Sequence, residues 1–286
     1  MRIREQPKRE QLIRDGFCIF ENVLDAATVA KLNAMSEWTI AQEDPEHFQQ
    51  HRAQGCIIPY WKFPHPAFAE LLADPRALAV FAAMGFERPR AWSGFVISKP
   101  PYAPPLYWHQ DGVLWDHPIS YTDRPQQYFL MYYLVDTNRD NGCLRVIPGS
   151  HRKRHPLHDL PRQAHQSDEV GTAANLEHPA LQPAAGEVDV PVRASDVVVG
   201  DARLVHSAHA NRSGERRTVL TIWYWPAYDE LPEEVQALIA GHVTERTDWC
   251  QWVEQNRPIV GDVMPVYDGA VEPAIWNNIA GPDLTY

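Results

Sequence analysis

The sequence predicts a mainly β protein with flanking helices, its strands packed as a sandwich or jelly roll. Three observations lead there. From about residue 91 to 226, apolar residues fall in short runs rich in β-branched and aromatic side chains. Gly, Pro, Asn and Asp punctuate those runs, and the chain carries 25 prolines, which favours many short segments and turns. Residues 1–90 and 227–286 instead read as helical or irregular.

Taken in order, Asp25 is a candidate N-cap for a helix over Ala26 to Ile40, where apolar residues recur at helical spacing. Pro66 to Leu72 and Pro75 to Gly85 predict two short helices, each with proline in its first turn and with Gly85 closing the second. Strands are predicted at Trp92–Ser98, Tyr128–Val135, Leu144–Ile147, Gly186–Val190, Asp196–Val199 and Thr218–Trp225. Residues 151–185 form a long polar insertion between strands, the kind of loop that often serves as a lid. A helix returns over Leu231 to His242, and the last 35 or so residues read as irregular and aromatic-bearing. No linker divides the chain, so all 286 residues are expected to form a single domain.

Composition excludes several classes of partner. A formal charge of −11 argues against nucleic acid, which selects a basic face. No apolar run approaches the roughly 20 residues that span a bilayer, and the first residues, Met1-Arg2-Ile3-Arg4-Glu5, lack the apolar core of a signal peptide. Cys18, Cys56, Cys143 and Cys250 lie far apart, which suits reduced thiols in a cytoplasmic protein. The expected partner is a small-molecule substrate. Oligomeric state leaves no mark in the sequence.

The chemistry concentrates at His109-Gln110-Asp111, answered by His206. Residues i and i+2 of an extended segment point to one side, so His109 and Asp111 can reach one ion. Two imidazoles and one carboxylate on one face of a metal leave the other face open, the ligand set of non-haem Fe(II) oxygenases. An H-x-D triplet alone is weak evidence among 13 histidines, and a lone histidine is more often a core or surface residue. The context strengthens it. Ser98-Lys99-Pro100-Pro101 precedes the triplet. The run Asn141-Gly142-Cys143-Leu144-Arg145-Val146-Ile147-Pro148-Gly149-Ser150-His151 follows it. His206 is then followed by Asn211, Ser213 and Arg217.

These blocks, in this order, resemble the phytanoyl-CoA dioxygenase family of Fe(II)/2-oxoglutarate oxygenases, over roughly residues 10 to 226. The resemblance implies a double-stranded β-helix (jelly-roll, cupin-like) core. It implies His109, Asp111 and His206 as iron ligands and as the catalytic centre, with 2-oxoglutarate and O2 as cosubstrates. Arg217, at the family's spacing from the distal histidine, would anchor the far carboxylate of 2-oxoglutarate. A guanidinium can hold a carboxylate with two parallel hydrogen bonds, which lysine cannot. Its rival is Arg216, but strand neighbours face opposite sides, so only one of the two can point inward. By alignment with the family, Phe95 and Met131 match positions lining the cosubstrate pocket, and the period of two then brings Phe129, Tyr133 and Gln127 to the same side.

One departure stands out. Family members usually carry Gly then Ser after the distal histidine, whereas this chain has Ser207-Ala208. Ser207 is therefore a displaced candidate for hydrogen bonding the cosubstrate, with Ser213 or an aromatic hydroxyl as substitutes. Trp108, Trp115, Gln127 and Trp223 are candidates for the substrate pocket, and Tyr60-Trp61-Lys62 for a pocket flap. His209 is expected at a rim or surface, outside the ligand set. The basic cluster His151-Arg152-Lys153-Arg154-His155 reads either as a solvated turn or as an attractor of anionic substrate.

The family implies hydroxylation of an unactivated C–H bond, with 2-oxoglutarate converted to succinate and CO2. Asp111 fills the position that halogenases of related fold leave to chloride, which argues against halogenation. Desaturation, cyclisation and epimerisation stay open. So do a non-catalytic metal-binding protein of the same fold and a Zn- or Mn-dependent isomerase.

Overall fold

The computed structural model describes residues 6–123, 126–160, 169–244 and 247–286. Three predicted helices form at or near their predicted bounds. Helix α2 runs Ala26–Ile40, and its cap Asp25 accepts a hydrogen bond from the Thr28 backbone at 2.7 Å. Such caps are worth about 1 kcal/mol. Helices α4 (Pro66–Leu72) and α5 (Pro75–Ala83) each start on proline, behind caps His65 and Asp74. Two helices add to these, α1 (Gln6–Asp15) and α3 (Pro45–Gln50).

Among the described residues, nine strands make two antiparallel sheets. The larger orders as β1 (Phe17–Phe20), β7 (Val197–Asp201), β4 (Tyr128–Tyr133), β9 (Arg217–Trp225), β3 (Arg90–Lys99) and β2 (Ile57–Pro59). The smaller orders as β6 (Val188–Val190), β5 (Leu144–Val146) and β8 (His206–Ala208). The six predicted strands are all present with shifted ends. β1, β2 and β8 are additions: at three or four residues each they are too short for a period to be read.

Every residue of β4 and β9 is buried. One face looks into the space between the sheets, and the other carries helices, as where Phe81 of α5 packs 4.8 Å from the Tyr224 ring. This explains why these strands read as unbroken apolar runs rather than alternating ones. The inward row of β9 is Arg217, Val219, Thr221 and Trp223, with Thr218 turned the other way to meet Ser98 at 2.7 Å.

The C-terminal part differs from expectation. Helix α6 (Glu233–Thr244) is followed by a second, α7 (Thr247–Val260), where an irregular segment was expected from about residue 252. Trp249, Trp252, Val253 and Val260 are spaced to form one buried face, and Trp249 stacks on Trp61 with centroids 4.8 Å apart. Beyond it, residues 265–286 run irregularly across the protein. The 151–185 insertion is packed where it is described. Leu181 and Ala180 join Leu106, Tyr107 and Ala208 in an apolar cluster, and residues 161–168 lie outside the described residues.

Candidate metal centre and adjoining pockets

The H-x-D segment is held against the His206 strand end by paired backbone hydrogen bonds. The His109 amide donates to the His206 carbonyl at 3.0 Å, and the His206 amide returns to His109 at 2.8 Å. The Asp111 amide donates to the Ala202 carbonyl at 2.6 Å. That carbonyl sits in a turn braced by Arg203, whose buried guanidinium grips Asp201 at 2.7 and 2.9 Å and the Ser120 carbonyl at 2.7 Å. Burial opposes both charges, but their mutual attraction outweighs it: the Asp201 carboxyl is held below, and the Arg203 guanidinium above, its ordinary range.

The result is a cluster in which His109, Asp111 and His206 offer donor atoms all within 4.8 Å of one another. Nε2 of His109 lies 3.7 Å from one Asp111 oxygen, and Nε2 of His206 lies 3.7 Å from the other. The ring Nδ1 atoms face backbone carbonyls, Tyr107 for His109 and Leu204 for His206, both at 3.0 Å. Carbonyls only accept, so Nδ1 carries the proton and Nε2 presents its lone pair to the shared point. This is how metal-ligating histidines are usually oriented. The Trp223 indole donates to Asp111 at 3.2 Å and steers the carboxylate. Behind His206 lies the Phe129 ring at 5.0 Å. Gly200 must be glycine there, since a Cβ would meet that ring at 2.0 Å. The donor set and its geometry fit a divalent iron with open positions.

Two cavities meet at the cluster. The narrower is a slot between the sheets, lined by Met131 and Tyr133 of β4, Leu144 of β5 and the inward row of β9. Arg217 stands in it, 4% exposed, with no hydrogen-bond or ion-pair partner for its guanidinium among the described residues. Burial lowers its pKa, with Tyr133 among the groups opposing that shift. Its cross-strand neighbour Lys99 is also buried, its amine donating to the carbonyls of Ala53 and Pro104 at 2.6 and 2.5 Å. Burial, with Arg217 and Arg145 adding to it, pushes Lys99 well below its ordinary pKa. A desolvated guanidinium with no counter-charge among the described residues calls for an anion. Arg216 is half-buried and does not line the slot. Thr221 does, and its buried hydroxyl has no partner among the described residues.

The larger cavity, about 410 Å³, opens on the other side of Asp111 and Trp223. Phe95 belongs here rather than to the cosubstrate slot. A register shift between Ala91 and Ser93 bulges β3, and Trp92 and Ser93 both line this chamber as a result. Trp61 lines it too, whereas Tyr60 is core and Lys62 pairs with Glu43 at 2.6 Å.

Several expected site residues are engaged or placed elsewhere. Ser207 lines the slot, but its hydroxyl is already committed, donating to the Leu106 carbonyl at 2.6 Å and accepting from Arg145 at 3.1 Å. Ser213 is consumed by its own turn, bonding Asn211 at 2.7 Å. Trp108 alternates with His109, donates to the Gln182 carbonyl at 2.9 Å and carries Arg145 over its ring. Trp115 is core and donates to Gln110 at 3.1 Å. Gln127 is buried but lines neither cavity. Of the four substrate-pocket candidates, Trp223 alone lines the chamber.

His209 bonds Asp189 at 2.6 Å in a cluster that also includes Glu187. Arg145 and Arg139 pair with those carboxylates, so the group is an ion-pair network. The 151–155 cluster is largely neutralised: Arg152 pairs with Asp123 at 2.7 Å, Arg154 with Asp159 at 2.5 Å, and His151 is buried against the Ile13 carbonyl. Much of the Asn141–His151 block is scaffold. Gly142 takes a left-handed φ of +89° in a turn closed by Asn138 and Asn141 side chains, and the Ser150 hydroxyl receives the Val205 amide just before His206.

Two antiparallel sheets enclosing a His-Asp-His cluster define the class: a cupin-like, double-stranded β-helix with a two-histidine, one-carboxylate metal site. The chain belongs to the phytanoyl-CoA dioxygenase family, whose model matches residues 12–219. It is 27% identical over 193 residues to Phytanoyl-CoA dioxygenase 1 of Oryza sativa subsp. japonica, covering 67% of this chain and 57% of that protein. It thus spans little more than half of that relative. An ectoine dioxygenase of Nocardia farcinica is 25% identical over 215 residues, covering 69% and 70%. Among solved structures, the non-heme alpha ketoglutarate-dependent epimerase SnoN from nogalamycin biosynthesis superposes with TM-score 0.56 at 25% identity, covering 78% of this chain and 83% of that one. Among the described residues, no helix is long and apolar enough to cross a membrane.

Proposed function

We propose that this chain is an Fe(II)/2-oxoglutarate-dependent dioxygenase that hydroxylates an unactivated C–H bond of a small molecule, forming succinate and CO2. The observation that carries this reading is Arg217, a buried guanidinium with no hydrogen-bond or ion-pair partner among the described residues, in a slot that also opens on the His-Asp-His cluster. A purely structural metal site has no use for such a cation. It is what a dicarboxylate cosubstrate needs at its far end.

In this reading His109, Asp111 and His206 hold iron, and their Nδ1 hydrogen bonds and the Trp223–Asp111 contact fix the ligand atoms before iron arrives. Bound iron, with 2-oxoglutarate and O2, supplies the oxidising power for C–H cleavage. The protein contributes orientation and exclusion of water. Arg217 pairs with the distal carboxylate, and Thr221 offers a hydroxyl. Met131, Leu144 and Val219 keep the slot apolar around these few polar groups. Tyr133 stays protonated, since burial pushes its pKa up to about 12. Its hydroxyl remains a hydrogen-bond donor.

The partner is a small molecule and not nucleic acid. The four unpaired cysteines suit a cytoplasmic location. The fate of the substrate after hydrogen abstraction depends on how the chamber holds it, and the likeness to an epimerase favours epimerisation as the second reading. Succinate formation from 2-oxoglutarate, with and without added Fe(II), tests the proposal. Iron-dependent succinate supports it. Its absence at saturating iron, 2-oxoglutarate and O2 points to a non-catalytic metal protein.

A further inference from the structure

The family model ends at residue 219, yet part of the chamber wall comes from beyond it. His242 of α6, Trp276 and Asn278 all line the chamber. Trp276 sits in the irregular C-terminal segment, which is pinned across the protein at several points. The Ala274 amide bonds the Glu234 carbonyl at 2.8 Å, and Asn277 exchanges backbone hydrogen bonds with Val113 and Trp115 at 2.9 and 3.0 Å. The Gln110 side chain donates to the Asn278 carbonyl at 2.6 Å. Gln110 lies between His109 and Asp111, so the segment is fastened directly to the ligand triplet.

The chamber has two aromatic walls. Trp61, Phe95 and Trp223 form one, joined edge to face with centroids 5.9 and 5.6 Å apart. Trp92, His242 and Trp276 form the other, with the His242 and Trp276 rings stacked at 18° and 5.2 Å. Among the described residues, no lysine or arginine lines the chamber, and the one carboxylate is that of Asp111. Trp276 is 43% exposed although it forms part of a cavity wall, an arrangement that leaves indole surface for a ligand to cover.

We propose that this C-terminal segment is the substrate-selecting wall of the chamber, with Trp276 its principal contact, and that the chamber takes a flat, ring-bearing molecule lacking phosphate or carboxylate groups. The proposal deepens the dioxygenase reading and rests on it for the identity of the reacting partner. A flat ring placed between the walls gains stacking and edge contacts on both faces. An acyl-CoA or other polyanion would bring its charge to walls with no cation among the described residues to meet it. Arg152 and Arg154 of the 151–155 basic cluster are already paired within the protein.

The test uses the full chain without metal, so that it does not depend on turnover. Binding of 2-naphthol, 2-naphthoate and butyryl-CoA is measured by calorimetry in wild type, Trp276→Ala and Trp276→Phe. 2-Naphthol is expected to bind at least tenfold more tightly than either anion. Trp276→Ala should weaken it about fivefold or more, the scale of losing one aromatic partner, and Trp276→Phe should restore most of that loss. Near-UV circular dichroism checks that each variant keeps its fold. Tighter binding of either anion overturns the substrate class. Unchanged 2-naphthol affinity in a folded Trp276→Ala overturns the role of the segment. The anaerobic absorbance of the Fe(II)–2-oxoglutarate complex is read in parallel. Its failure to form would sink the dioxygenase reading and leave the binding result standing.

Discussion

The slot and the chamber share Asp111 and Trp223 but are built in opposite ways. The slot lies between the sheets, is lined mainly by strand residues, and buries one charged group, Arg217. The chamber is open and aromatic, has no lysine or arginine among the described residues, and draws on β3, the Trp61 loop, α6 and the C-terminal segment. A site for one fixed cosubstrate can be rigid and electrostatically committed. A site that sets substrate choice is assembled from connections and termini, which change without disturbing the sheets. The contrast also explains why relatives with this core act on different molecules.

The largest expected effect comes from the point where the two cavities meet. His109→Ala, Asp111→Ala and His206→Ala should each abolish Fe(II)-dependent succinate formation, while 2-naphthol still binds the metal-free protein. Metal titration and calorimetry measure the two halves separately. A triad variant with wild-type turnover would remove that residue from the ligand set.

Next comes the charged end of the slot. Arg217→Ala removes one partner of a desolvated charge pair, a loss on the order of 2–5 kcal/mol, or roughly 30-fold or more in 2-oxoglutarate affinity. Arg216→Ala should do much less. A titration of the anaerobic Fe(II)–2-oxoglutarate absorbance compares them. A larger effect from Arg216 would mean that the inward row of β9 has been read one residue out of register.

These two predictions were legible in the sequence through local alternation for the triplet and, for Arg217 over Arg216, through the spacing from His206 that the family resemblance supplies. His109 and Asp111 share a side by the period of two, and Arg217 faces in because Thr218 faces out to Ser98. The period of two could not show that the Ser207 hydroxyl is committed to Leu106 and Arg145. Continued along β9 from Arg217, it does find Thr221, which the sequence reading passed over. The chamber was far less legible. Phe95 was assigned to the slot, and the β3 bulge that brings both Trp92 and Ser93 to the chamber has no sequence mark. Trp115 and Trp108 were candidates because pockets are largely apolar, yet one supports Gln110 from the core and the other donates to the Gln182 carbonyl outside both cavities. His242 and Trp276 reach the chamber from far along the chain, and only the folded topology brings them there.

A smaller effect is expected where the chamber wall touches the metal site. Trp223→Phe keeps an aromatic ring and removes the indole donor to Asp111. Partners of this kind contribute about 10- to 100-fold in metal affinity, so weaker Fe(II) binding near the low end of that range is expected, with 2-naphthol binding little changed. An unchanged metal titration would show that Asp111 needs no steering from the chamber side.

The smallest effect sharpens the comparison most, because its two readouts have opposite signs. Thr221 is fully buried, lines the slot and has no hydrogen-bond partner for its hydroxyl among the described residues. Leaving a buried hydroxyl unsatisfied costs roughly 1–3 kcal/mol. Thr221→Val replaces it with a methyl of nearly the same shape, so the protein without cosubstrate should be equally or more resistant to thermal unfolding. If 2-oxoglutarate accepts a hydrogen bond from this hydroxyl, the same change should weaken its binding about fivefold, the scale of one neutral hydrogen bond of roughly 1 kcal/mol. Stability that holds or rises while affinity falls would mark Thr221 as a group held unsatisfied for the cosubstrate. A fall in both would mean the hydroxyl supports the fold instead. Unchanged affinity would leave Arg217 as the polar group that holds the cosubstrate's far end.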